Sequence, residues 1–154
     1  MNKEIKQSEK NILQAYINKV FDKEKIIDEK MLDDIANISI KNKLEIAVIS
    51  NRKGEILDII IGDSVSASIS ADILQGKGLR VIHTHPFAFS TLSDKDKLLL
   101  KKYDIDYIIA ISYFVGLKIY KISKASIKNN WSLFIWKNIN DKIVIRGVYL
   151  WMRL

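Results

Sequence analysis

Apolar residues recur at helical spacing through the first forty positions and then give way to short β-branched runs. Ile12, Leu13, Tyr16, Ile17 and Val20 make one stripe, and Ile26, Ile27, Met31, Leu32, Ile35 and Ala36 make a second. Side chains three and four apart share one face of a helix, so two helices are expected, broken near 22–25, with both stripes in the core. Residues 44–50 (LEIAVIS) and 56–61 are compact apolar runs on either side of Asn51-Arg52-Lys53-Gly54. That tetrapeptide is turn chemistry, and the three segments together predict a β-hairpin. A loop or short helix is expected over 64–78, then a strand over 79–85 that Pro86, the only proline, stops by removing a donor. A loop to 92, a helix from Ser93 to about Tyr103, and strands at 107–113 and 117–122 around Gly116 follow. The tail 123–154, with Trp131, Trp136 and Trp151, admits a hairpin turning at 138–141 or a partly helical segment.

The runs at 46–49, 59–61 and 108–111 lack clean alternation, as strands covered on both faces do. The pattern therefore predicts an α/β fold of three layers. A mixed sheet would contain the hairpin, the 79–85 strand and the 107–122 pair, with helices on both faces. The chain has 154 residues, 48% of them hydrophobic, which is enough for the core of one domain. That domain, 1–154, would comprise N-terminal helices (5–40), a central part (41–122) and the aromatic tail (123–154). No internal repeat or low-complexity linker divides it.

Composition narrows the chemistry. The chain has no cysteine, which excludes disulfides, thiolate zinc sites and thiol nucleophiles and makes a reducing cytoplasm the expected setting. The N-terminus leads into an amphipathic segment, so no signal peptide is expected, and no run of 18 apolar residues suggests a membrane span. The formal net charge is +7, but the lysines are scattered and no stripe of arginines and aromatics appears. A solvated basic surface accounts for that, and nucleic acid is not favoured as a partner. No glycine-rich phosphate loop is present.

The chemistry-bearing segment is His83-Thr84-His85-Pro86, then Ser93, then Asp96: H-x-H-P-x6-S-x2-D. Residues two apart on a strand point to one face, so His83 and His85 can present their imidazoles to a single ion. Asp96 falls in the first turn of the following helix. Two imidazoles and a carboxylate leave a fourth position open, as in catalytic zinc. Each residue alone has an ordinary explanation: a histidine on an apolar strand is commonly packed and hydrogen-bonded, and Ser93 with Asp96 is a capping box. The full string would coincide by chance on the order of once in ten thousand such chains.

The string resembles the JAMM motif of MPN-type metalloproteases, E…H-x-H-x7-S-x2-D, with His83, His85, Ser93 and Asp96 at every spacing. The RadC-like branch carries a related H-x-H-P…S-x2-D string. Residues 28–122, with LEIAVISNRKGEILDIIIGDS…IHTHP, also look like the N-terminal extension of some HflX-type ribosome-associated GTPases. The resemblance implies an MPN/JAMM-like (cytidine-deaminase-like) fold and one zinc per chain held by His83, His85 and Asp96. It also implies an upstream glutamate as general acid/base on a strand that follows a helix. Glu45 stands there, while Glu55, beside the turn, is the rival. Ser93 would help stabilise the oxyanion.

Two functions follow, with a nucleic-acid-processing role by analogy with the RadC-like branch a weaker third that the scattered basic residues do not raise. One is a zinc-dependent hydrolase of a peptide or isopeptide bond. The other is a metal-binding regulatory module that docks on a ribosome, a GTPase or another partner without turnover. The segment between Glu45 and His83 and the loop 86–92 are short, which disfavours the insertions that grip ubiquitin in deubiquitinating relatives. Phe87 and Phe89 are candidates for an apolar lip to the site or for the core.

Overall fold

Nearly every side chain of the central strands is buried, and because successive ones point to opposite faces the sheet carries an apolar layer on each. The computed structural model describes residues 5–24, 28–63, 67–86, 92–114, 119–127, 130–137 and 143–151, with the backbone alone described at 114, 119–120 and beyond 127. In chain order the elements are α1 (Gln7–Gln14), α2 (Glu29–Asn42), β1 (Ile46–Ser50), β2 (Ile56–Ile61), α3 (Ala71–Leu74), β3 (Leu79–Thr84), α4 (Asp94–Lys102), β4 (Ile105–Phe114), β5 (Ile119–Ala125), β6 (Asn130–Lys137) and β7 (Ile143–Trp151).

Helix α2 begins where the Asp28 side chain accepts a hydrogen bond from the Met31 N–H (2.9 Å), a cap that satisfies one of the free amides of the first turn. It ends at Lys43 in the left-handed conformation (φ 54°). Its stripe of Met31, Leu32, Ile35, Ala36 and Ile38 is buried. The β1–β2 turn is organised by Asn51, whose Oδ1 accepts from the N–H groups of Lys53 (3.0 Å) and Glu55 (3.1 Å). Gly54 in that turn has φ 85°, and a Cβ there would stand 2.2 Å from the Phe21 carbonyl oxygen, so only glycine fits.

The strands form one seven-stranded sheet in the order β2-β1-β3-β4-β5-β6-β7. All neighbours are antiparallel except β3 and β4, which are parallel. Parallel strands cannot be joined by a tight turn. Helix α4 forms the crossover. Ile46 and Val48 of β1 pack with Ile82, Ile109 and Ile111 against Leu13 of α1 and Leu32 and Ile35 of α2. The alternate residues Ala47, Ile49, Val81 and Ile108 belong to a second cluster, with Leu74 of α3 and Leu100 of α4. The expected three layers are present. Among the described residues no helix is long and apolar enough to cross a membrane.

Several elements differ from the sequence expectation. Helix α1 stops at Gln14 and does not reach Val20. The Asn18 N–H instead donates to the Ile56 carbonyl (2.9 Å), the Ile56 N–H donates to Lys19 (2.9 Å), and Val20 bridges Glu55. Pairing with the outer edge of β2 overrides the local helical period here. Val20 is consequently 65% exposed and Ile12 is 41% exposed, so neither is core. Strand β3 ends at Thr84, one residue before His85; β4 extends beyond its expected limits at both ends, and β5 continues past its expected end to Ala125. The tail enters the sheet as β6 and β7, and none of its described residues is helical; its expected turn at 138–141 lies outside the described residues, as do Ile26, Ile27, Phe87 and Phe89.

Candidate metal centre

His83 alternates along β3 with Ile82, which faces the α2 layer, so its imidazole lies on the α4 side of the sheet. His85 follows the strand in extended register, its N–H donating to the Ile111 carbonyl (2.8 Å). The two Nε2 atoms are 2.9 Å apart, with the rings edge to face.

Asp96 is placed by the start of α4. Ser93 caps the helix: its Oγ accepts from the Asp96 N–H (3.1 Å), and its own N–H donates to Asp96 Oδ2 (2.8 Å). That is a reciprocal capping box. The same Oδ2 lies 3.2 Å from His83 Nε2. The cap thus points the carboxylate at the strand, so the structural and chemical readings of Ser93 and Asp96 are compatible. Ser93 itself is exposed, at the rim.

Glu45 reaches the site through strand pairing. Ala47 of β1 is opposite His83 of β3 in an antiparallel pair, so two residues further along each chain Glu45 meets His85. The distance from Glu45 Oε1 to His85 Nε2 is 3.7 Å. Glu45 is buried, at 9% exposure, and is not a solvated strand-edge charge. The rival Glu55 sits at the other end of β1, in the hairpin turn, with its side chain at Asn51 (3.5 Å).

Burial dominates the electrostatics. It pushes the Glu45 carboxyl above its ordinary value, opposed by the charge of His83 and assisted by Asp96 and Asp63. Burial and the neighbouring His83 lower the His85 imidazole to about 4, so the ring is neutral near neutral pH. Burial acts to raise the Asp96 carboxyl, but the His83 hydrogen bond and charge and the Ser93 cap outweigh it and hold the group at about 2. Two cations that sequence patterning does not single out act on the site: Lys121 of β5 on His85, and Lys95 of α4 on Glu45.

The donor set fits a divalent cation. One atom each from His83, His85 and Asp96 lies within 4.8 Å of the other two. Zinc–nitrogen bonds of about 2.0–2.1 Å put tetrahedral donors roughly 3.3 Å apart, close to the 2.9 and 3.2 Å found here. Two ring nitrogens at 2.9 Å also need a hydrogen or a cation between their lone pairs. Among the described residues His83 Nδ1 is buried with no hydrogen-bond partner, whereas metal-bound imidazoles ordinarily have that outer N–H tied to an acceptor. The group can hold a metal ion.

No protein-family model, curated protein or solved structure matches the chain.

Proposed function

We propose that the chain is a zinc-dependent hydrolase of the MPN/JAMM type that cleaves a peptide or isopeptide bond. The observation that carries this reading is the convergence of a buried glutamate on a two-histidine, one-aspartate donor set, with Glu45 Oε1 3.7 Å from His85 Nε2. His83, His85 and Asp96 would hold the ion and leave a position for water. When bound, zinc supplies a water with a pKa of about 7 and polarises the scissile carbonyl.

Glu45 lies against His85 of the donor set. It would take the proton of the attacking water and later deliver one to the departing amine, and a carboxyl raised by burial is a better base for this work than an exposed one. Ser93, on the rim, is available to steady the oxygen that gathers negative charge.

The test is turnover of fluorogenic peptide and isopeptide panels by zinc-loaded protein. Glu45→Gln should keep zinc and lose at least about 100-fold in kcat. His83→Ala should lose both. Unchanged turnover in Glu45→Gln would remove the mechanism. Zinc uptake with no turnover on any panel would favour the docking module that the GTPase-extension resemblance implies.

A further inference from the structure

Strands β1 and β3 part at the site. They are paired from Ser50/Arg80 to Ala47/His83. Beyond that point Glu45 stays hydrogen-bonded to the end of β2: its N–H donates to the Asp63 carbonyl (2.7 Å), and its carbonyl accepts from Gly62 (2.8 Å). His85 stays bonded to β4 through Ile111. The site's side chains occupy the α4 side of this divergence.

On the α2 side a chain of hydroxyls closes it. The Ile46 N–H donates to Thr84 Oγ1 (3.0 Å). The Thr84 hydroxyl donates to Ser39 Oγ (2.7 Å), and the Ser39 hydroxyl donates to the Leu44 carbonyl (2.6 Å). A hydroxyl has one proton to give, so the chain can run in one direction only, and every member is satisfied. Ser39 and Thr84 are 0% and 2% exposed. The two ends of the chain are the Ile46 N–H and the Leu44 carbonyl, on either side of Glu45. Its inner members are Ser39 and Thr84, the residue between the two histidines.

We propose that Thr84, anchored by Ser39, is a positioning residue of the metal centre: the hydroxyl chain sets the placement of His83 and His85 against Glu45 from the opposite face of the sheet. This rests on the metal reading above. Thr84 touches neither donor atom nor substrate. It acts by fixing the backbone of the strand ends that carry them, in the way that outer partners of a metal site orient its ligands.

The test is zinc affinity, measured by competition with a chromogenic chelator on variants shown by circular dichroism to be folded. Thr84→Val is nearly isosteric but leaves the Ile46 N–H and Ser39 without their partner. It should weaken zinc binding by about 10-fold or more. Ser39→Ala should do the same, and it serves as the second variant if Thr84→Val folds poorly. Thr84→Ser keeps the hydroxyl and should stay within about threefold of the parent. Ile35→Val loosens α2 packing without touching the chain of hydroxyls and should leave affinity unchanged. The proposal is overturned if both Thr84→Val and Ser39→Ala bind zinc like the parent, or if Ile35→Val weakens binding as much as they do. In those cases the metal reading survives. A parent protein that takes up no zinc overturns both.

Discussion

The Glu45 carboxylate meets the His85 ring at 3.7 Å just past the point where the backbone pairing of β1 with β3 ends at Ala47 and His83. Because His85 is neutral near neutral pH, the contact does not hold Glu45 in an ion pair. The carboxylate stays free to exchange a proton with a third group. A buried glutamate beside a neutral imidazole costs stability.

Metal binding should be visible as stability. An ion that binds only the native protein adds about 2.7 kcal/mol at a hundred times its dissociation constant, equivalent to several degrees in Tm for a chain of this size. Melting curves with zinc and with a chelator should differ by that amount. His83→Ala and Asp96→Ala should erase the difference. Coincident curves for the parent protein would contradict a metal centre here.

The Ser93 cap should couple helix stability to the site. Ser93→Ala removes the acceptor for the Asp96 N–H and should cost about 1 kcal/mol. It also frees the Asp96 backbone that points Oδ2 at His83, so zinc affinity should fall severalfold. Asp94→Asn, in the same turn, is the control and should leave affinity in place. Loss of stability with undiminished zinc affinity would reduce Ser93 to a helix cap.

Away from the site, Asp106 joins two arginines. Arg52 donates to both its oxygens (2.8 and 2.9 Å), and Arg80 Nε is 3.8 Å away. The Arg52 hydrogen bond leads the lowering of the Asp106 carboxyl below its ordinary 3.8, against burial. A carboxylate depressed in the folded state adds stability that is fully present above its unfolded pKa and is lost as pH falls through the folded one. Asp106→Asn should therefore lower Tm by a few degrees near neutral pH. The difference from the parent should shrink as pH drops below 3.8 and should narrow in high salt, because Arg52 is exposed. A difference independent of pH would assign the loss to packing.

What the sequence determined by itself is whatever depends on near neighbours along the chain. The α2 stripe, the Asn51–Gly54 turn, and the run from His83 to Asp96 are all local. Strand alternation brings His83 and His85 to one face, and a capping box points Asp96 back at them, so a group able to hold a metal ion is readable from fourteen consecutive positions. Motif resemblance nominated Glu45, but only the β1–β3 register carried it to His85 and left Glu55 at the far end of the strand. Tertiary structure likewise decided that 18–20 would pair with β2 and not lengthen α1, and that the tail would continue the sheet. It also brought Ser39 of α2 to Thr84, two unremarked hydroxyls in the linear pattern. The physical reason is that side-chain period and end-capping are satisfied within one or two turns of chain. Strand partners and their register are chosen by which distant apolar faces can be buried together, and a shift of one residue would have put Glu45 on the wrong side of the sheet.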